Sequence, residues 1–302
     1  MQRPLVLGIE TSCDDTACAV VDGAGRVLAS VVSSQLAAHA PFGGVVPEIA
    51  SREHLANWPA VAAATLGRAG VGFADLDAVA ATRGPGLLGS LLVGLSLGKA
   101  LAWGRGLPFF ALHHLEGHLV SPWLDAAGGP AAPVPADFVG LVVSGGHTSL
   151  YRVAGARLET LVETRDDAFG EAFDKIGKRV GLTWPQGPQV DALAELGAAR
   201  RAPLARLAGT EELFFSYSGL KTQAILAVER LAAAGVATQA DPAADPPLPQ
   251  PVLDLLAGFR DSAVRQVLDR LTRLYRRAPF ERLAVSGGAA ANRELRRRLP
   301  AW

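Results

Sequence analysis

The chain has 302 residues, 49% of them hydrophobic and 19% charged, with 29 basic and 29 acidic side chains. That length gives one large or two medium domains enough apolar surface for real cores, and no apolar run reaches the roughly 18 to 20 residues of a membrane span. Two cysteines exclude a disulfide scaffold, and Cys13 and Cys18 match no standard metal-ligand spacing. The first residues also lack the order of a secretory signal, so a soluble, cytosolic protein is expected.

The zero net charge conceals a gradient. Residues 1–150 carry 7 basic and 11 acidic groups, residues 151–259 carry 11 and 14, and residues 260–302 carry 11 and 4. A basic end of this kind can contact a phosphate backbone or form a solvated helix face. Arginine outnumbers lysine 25 to 4, which fits coding bias as well as it fits phosphate contacts.

In chain order, Leu5 to Glu10 reads as a strand, Ala17 to Asp22 as a second, and the turn Asp22-Gly23-Ala24-Gly25 feeds a third from Arg26 to Ser33. A helix starts near Pro47 and runs towards Leu66. The buried strand Asp77 to Thr82 meets the turn Gly84-Pro85-Gly86, followed by a helix from Leu88 to Trp103, a strand from Leu107 to Leu112 and a helix from His114 to Leu124. The Gly- and Pro-rich stretch around 128–137 is linker chemistry. Beyond it come strands at Phe138 to Ser144, Thr148 to Val153 and Leu158 to Thr164, then helices interrupted by a Pro/Asp/Ala stretch, 237–251, expected to be a mobile insertion. A long amphipathic helix, Val252 to Arg276, leads to a strand, Arg282 to Ser286, and a last helix, Ala290 to Leu299.

The pattern strand–strand–strand–helix–strand–helix thus occurs twice. Duplicated βββαβα units predict two α/β lobes, 1–127 and 138–302, with a cleft between them. The first copy continues with one more strand and helix, whereas the second stops, which predicts a second lobe short of its terminal elements by roughly 25 to 35 residues.

Four turns at matching points of the two copies could hold chemistry: 10–16, 84–89, 144–148 and 286–289. Glycines there let backbone approach a phosphate, and a following helix aims free N–H groups at the anion. Walker lysine and G-x-G-x-x-G patterns are absent. Asp14 and Asp15 are either turn carboxylates bonding local N–H groups or a base facing the reacting centre. His114 and His118, four apart, share one helix face and could bind a metal; Glu116 falls on the opposite side, so the zinc-protease arrangement is not met. His113 faces elsewhere. Asp174 can accept from a ribose or amide, or pair with Lys178 at i+4. The segments 184–188 and 214–221 read as loops at helix starts, with capping and packing roles.

These segments together resemble the TsaD family. The motifs are Gly-Ile-Glu-Thr-Ser-Cys-Asp-Asp-Thr (8–16), Gly-Gly-Val-Val-Pro-Glu-Ile-Ala-Ser-Arg (43–52), Gly-Pro-Gly-Leu-Leu-Gly-Ser-Leu-Leu-Val-Gly (84–94) and His-His-Leu-Glu-Gly-His (113–118). They continue with Val-Ser-Gly-Gly-His-Thr (143–148), Gly-Glu-Ala-Phe-Asp-Lys (170–175), Phe-Ser-Tyr-Ser-Gly-Leu-Lys-Thr (215–222) and Ser-Gly-Gly-Ala-Ala-Ala-Asn (286–292). The resemblance covers essentially the whole chain, in order. It implies the two-lobed fold of actin, Hsp70 and sugar kinases and the activity of a tRNA N6-adenosine threonylcarbamoyltransferase. The group would move from threonylcarbamoyl-AMP to N6 of adenosine 37 in tRNAs reading codons that begin with A.

The resemblance further implies that His114 and His118 hold a divalent metal, usually assigned as iron. Asp14 would assist the amine or the metal-bound groups, Val142, Val143, Ser144, Gly145 and Gly146 would cradle the donor, and Asp174, Gly187 and Asn292 would line the nucleotide. A paralogous actin-like subunit of TsaB type and a small ATPase of TsaE type are the implied protein partners. Two departures stand out. Gln186 occupies a place where the family loop has glycine, which predicts strain or a narrowed pocket, and the aspartate that serves as the family's third metal ligand has no counterpart before Trp302. The alternative is a non-catalytic relative serving as a partner-binding scaffold. An ATP-dependent small-molecule kinase of the same fold would leave the histidine pair idle.

Overall fold

The computed structural model describes residues 3–125, 129–205 and 212–302. The chain divides into two compact units, Met1–Val134 and Pro135–Trp302.

In the first unit, β1 (Val6–Glu10), β2 (Asp15–Val21) and β3 (Val27–Ser34) form an antiparallel meander. Alternation sets its faces: Leu7, Ile9, Cys18 and Val20 point into one core with their neighbours turned outward. After the short α1 (Leu36–His39), α2 (Pro47–Ala69) starts with proline at its first position and stops at Gly70, whose left-handed φ of 67° no side chain favours. β4 (Ala78–Gly84) pairs parallel with β1, α3 (Leu88–Arg105) crosses back, and β5 (Phe109–His113) pairs parallel with β4. The sheet order is β3-β2-β1-β4-β5. α4 (His114–Val120) follows directly on β5 and ends in a 3-10 turn at Pro122, earlier than the sequence pattern suggests.

The turn between β4 and α3 owes its shape to packing. Leu87 N–H donates to Ser12 O at 2.8 Å, and a Cβ on Gly86 would lie 2.8 Å from Ser12 Cβ and closer still to its carbonyl oxygen. Gly86→Ala is therefore expected to destabilise the chain by about 1–3 kcal/mol. Gly104→Ala, at a helical position of α3 where an added Cβ meets nothing within 4 Å, is expected to stabilise by about 0.5–1 kcal/mol. Denaturant midpoints of the two variants check both signs.

The second unit repeats the scheme. β6 (Asp137–Val143), β7 (Thr148–Ala154) and β8 (Arg157–Glu163) form the meander; α5 (Phe169–Arg179), α6 (Gln186–Leu193), α7 (Ser218–Ala233) and α8 (Gln250–Arg277) follow. β9 (Leu283–Ser286) then pairs parallel with β6, giving the order β8-β7-β6-β9, and α9 (Arg293–Arg298) comes last. Among the described residues this sheet matches the first four strands of its counterpart. β6 lies between two neighbours and is buried on both faces from Phe138 to Val143, hence its unbroken apolar run. α8 is the spine of the core: Val252, Leu256, Phe259, Ala263, Val267 and Leu271, at helical spacing, are fully buried.

The 237–251 stretch meets α5 through Ala240 N–H on Val180 O and Gln239 on Arg179 O, and its Leu248 is buried. Two sequence expectations change here. The last helix begins at Arg293, because Asn292 caps it by accepting from Leu295 N–H; residues 288–291 are a 3-10 turn. The basic end is partly neutralised internally. Arg260 pairs with Asp191 and Glu195, Arg265 with Asp261, Arg270 and Arg273 with Asp269, Arg297 with Glu195 and Glu294, and Arg298 with Asp261 and Glu294.

Candidate active site

The acidic turn of the first unit connects β1 to β2. Glu10, the last residue of β1, accepts from Ser12 N–H through one carboxylate oxygen and, through the other, from Thr82 Oγ1 and from His114 Nδ1 at 3.2 Å. Burial opposes its ionisation, but the hydrogen bonds from His114, Ser12 and Thr82 outweigh burial and lower its pKa to about 2. Glu10 is thus a fixed carboxylate. Asp14 follows in the turn, half-buried, and Asp15 opens β2, exposed.

His114 and His118 emerge on one side of α4, ring centroids 4.7 Å apart and planes nearly perpendicular at 84°. His114 Nδ1 also lies 3.2 Å from Ser12 Oγ. A carboxylate accepting from Nδ1–H leaves Nε2 with its lone pair outward, which is how metal-binding histidines are usually oriented. The pair therefore fits a divalent cation in chemistry and in second-layer support. Among the described residues no group of three or more His, Cys, Asp or Glu side chains could hold a metal ion, so the two imidazoles are a partial ligand set. His113, at the end of β5, keeps a buried Nδ1 without a hydrogen-bond partner.

The second unit holds a cavity of about 360 Å³, within the usual range for small-molecule sites. Its wall combines Gly145 after β6, Gly170 and Asp174 on α5, Gly187 and Asp191 on α6, and Gly288 and Asn292 after β9. α5 docks on the β6–β7 turn only because position 170 is glycine: its N–H donates to Ser144 O at 3.2 Å, and a Cβ there would lie 2.7 Å from that oxygen. Asp174 accepts from Gly187 N–H at 2.7 Å, and burial raises its pKa despite that bond. It makes this bond across to α6, and the ion pair with Lys178 open to it at helical spacing is absent among the described residues.

Of the expected donor-cradling residues, Gly145, Asp174, Gly187 and Asn292 line this cavity. Val142 and Val143 are fully buried ladder residues of β6. Ser144 closes its turn by donating its N–H to His147 O and accepting from His147 N–H at its Oγ, and Gly146 is exposed in the same turn. Gln186 carries no strained backbone, since no non-glycine residue among those described has positive φ. It opens α6 with its side chain buried against Gly177, outside the cavity wall. The expectation that it strains or narrows the pocket is corrected accordingly.

Sequence reasoning missed two residues. Glu10 could have been suspected as a carboxylate ending an apolar strand, but its link to His114 spans 104 positions. Asp191 accepts from Asn292 Nδ2 at 2.7 Å, from Arg293 N–H at 2.9 Å and from Arg260 at 3.2 Å, joining α6, α8 and α9 at the cavity wall. The 214–221 segment keeps its capping role: Asp166 accepts from Tyr217 N–H and Ser218 N–H at the start of α7, and Lys221 pairs with Asp167.

Matched sheets followed by helices in each unit define an α/β protein of the actin, Hsp70 and sugar-kinase class. Solved structures with this fold include HypF from T. kodakarensis (TM-score 0.62, 12% identity, covering 98% of this chain and 43% of that one). Another is component A of (R)-2-hydroxyglutaryl-CoA dehydratase from Acidaminococcus fermentans (TM-score 0.52, 15% identity, covering 99% and 88%). A family model described as "TsaD: tRNA N6-adenosine threonylcarbamoyltransferase" matches residues 26–302. Proteins named tRNA N6-adenosine threonylcarbamoyltransferase from Pelobacter propionicus and Anaeromyxobacter dehalogenans are 47% and 48% identical, over 98% and 96% of this chain and 83% and 82% of their own length. The chain belongs to the TsaD family.

Proposed function

We propose that this chain transfers the threonylcarbamoyl group of threonylcarbamoyl-AMP to N6 of adenosine 37 in tRNAs reading codons that begin with A. The observation that carries this reading beyond family membership is the histidine pair with His114 fixed by Glu10. A small-molecule kinase of the same fold has no use for it. The N6 amine attacks the carbamoyl carbon, a new N–C bond forms, the bond from that carbon to the phosphate oxygen breaks, and AMP leaves with the electron pair. An exocyclic amine is a poor nucleophile, so positioning and stabilisation of developing charge supply most of the acceleration. Asp14 takes the proton that N6 loses. Gly145, Asp174, Gly187 and Asn292 bind and orient the nucleotide part of the donor.

His114 and His118 would hold one divalent metal, iron in this reading, which when bound neutralises charge on the donor. Titrating the purified chain with Fe²⁺ should show near one equivalent bound. No binding would favour the partner-binding scaffold instead.

For protein partners, the reading takes a paralogous actin-like subunit and a small ATPase in the cytoplasm; no described helix is long and apolar enough to cross a membrane. Leu55 on α2 and Leu88, Leu92 and Trp103 on α3 are exposed, Trp103 at 89%, and such a row is unusual on a surface that stays in water. We assign it to the paralogous subunit. Trp103→Glu should weaken capture of that subunit by about 10–100-fold, as loss of an aromatic anchor does, with an unchanged melting temperature; unchanged capture would exclude the face.

For tRNA, the described ion pairs take up six of the eleven arginines of the basic end. Arg296 takes part in none of the described pairs. Arg296→Glu should reduce the slope of log affinity against log salt by about one, measured by filter binding from low to moderate salt.

A further inference from the structure

The motif at 43–52 and the two histidines near it play no part in the chemistry above, yet they meet directly behind the Asp14 turn. His54, on α2, is fully buried, as are His39 on α1 and, nearly so, Gln35. His54 Nε2 lies 3.1 Å from Cys13 O, while its Nδ1 lies 2.8 Å from Thr16 Oγ1 and 3.1 Å from Gln35 Nε2. Gln35 Nε2 also donates to Ala50 O at 3.3 Å, and Gln35 Oε1 is 3.1 Å from His39 Nε2. His39 Nδ1 lies 3.3 Å from Val46 N.

The direction of every bond in this chain follows from its ends. A backbone carbonyl only accepts and a backbone N–H only donates. Cys13 O therefore requires the proton of His54 on Nε2, and Ala50 O fixes the Gln35 amide with its nitrogen towards His54. The neutral His54 then accepts at Nδ1 from Gln35 and Thr16. Gln35 Oε1 requires the proton of His39 on Nε2, and His39 Nδ1 accepts from Val46 N–H. Hydrogen bonds run one way, from the backbone after Gly43-Gly44 through His39, Gln35 and His54 to the carbonyl that precedes Asp14.

We propose that His54, with His39 and Gln35 behind it, is a positioning residue for the Asp14 turn, and that the 43–52 motif supplies the donor and acceptor that fix the polarity of this hydrogen-bond chain. Other contacts converge on the same turn. Ser90 Oγ donates to Cys13 O at 3.3 Å, Gln35 N–H donates to Asp14 O at 3.1 Å, and Asp15 pairs with Ser34 in the sheet. The carbonyls of the two peptides that flank the Asp14 Cα, Cys13 O and Asp14 O, are thus held from behind, which fixes where the Asp14 side chain leaves the backbone. Burial lowers the pKa of His54, outweighing the hydrogen bond to Cys13 O and the nearby charges of Glu10, Asp14 and Asp15 that raise it.

The proposal rests on the reading that Asp14 acts in transfer, and the test separates the two. In ¹⁵N-histidine-labelled protein, His39 and His54 should both show the Nε2–H tautomer. His54→Phe, which keeps the bulk but no polar atom, should lower kcat by about 100-fold, the cost of an ångström-scale misplacement, with KM for donor and tRNA unchanged. His54→Gln, whose amide reaches about as far as Nε2, should recover most of that loss. Asp14→Ala/His54→Phe should be no slower than Asp14→Ala alone. An Nδ1–H tautomer at His54, parental kcat in His54→Phe, or a double variant slower by the full His54→Phe factor would each overturn the proposal. Parental transfer by Asp14→Ala identifies the other failure: it removes the role of Asp14, and with it anything for His54 to position.

Discussion

His118→Ala should leave the chain folded while lowering its affinity for a divalent metal by well over about 100-fold, beyond the 10–100-fold typical of losing only a supporting partner. The fold does not depend on this side chain: α4 is anchored by Leu115 and Leu119, both buried, whereas His118 is half-buried on the side it shares with His114. With two imidazoles as the ligand set among the described residues, losing one leaves a single ligand, which cannot retain the ion through purification. Glu10 places the effect on a scale. Its carboxylate accepts from His114 Nδ1 and would support that ligand from behind, so Glu10→Gln should fall within the 10–100-fold range. Metal analysis of the parent and both variants, with circular dichroism as a folding control, gives the comparison. Parental metal content in His118→Ala would remove the histidine pair from the site.

Asp14→Ala should lower the rate of transfer by about 10²–10⁴-fold, the usual contribution of a positioned acid or base, and leave donor affinity within about two-fold. Asp14 is not among the residues that line the cavity proposed to bind the nucleotide, so its loss removes proton transfer without removing a donor-binding group. Single-turnover rates with saturating donor, beside direct binding of a non-reacting donor analogue, separate the two quantities. Transfer at the parental rate would make Asp14 a turn residue and nothing more.

Much of the fold was legible because it was repeated. Strands with period-two burial, such as 16–20, and helices with buried positions three and four apart, such as 252–271, announce themselves within a short window, and seeing the same order twice identified the two α/β units. Boundaries set by side-chain caps were less visible. Asn292 ends a 3-10 turn and starts α9 through one bond to Leu295 N–H, and the pattern alone runs both into one helix. The histidine pair was legible because four-residue spacing on a helix is local information. What orients it was not: Glu10 meets His114 across 104 positions, and Asp191 meets Asn292 across 101. The basic end shows the same limit in reverse. Its sequence suggests a cationic surface, yet the acids that neutralise it come from Asp191 and Glu195 as well as from its own helices.

The most direct test of the account is threonylcarbamoyl transfer itself. Unmodified tRNA reading a codon that begins with A is incubated with synthesised threonylcarbamoyl-AMP, Fe²⁺, this chain and its proposed protein partners, then digested to nucleosides and examined by mass spectrometry. The account predicts N6-threonylcarbamoyladenosine at position 37, dependent on this chain and lost in Asp14→Ala. Unmodified adenosine at position 37, from a chain that is folded and binds both the donor and its partners, would contradict it and leave the scaffold reading in its place.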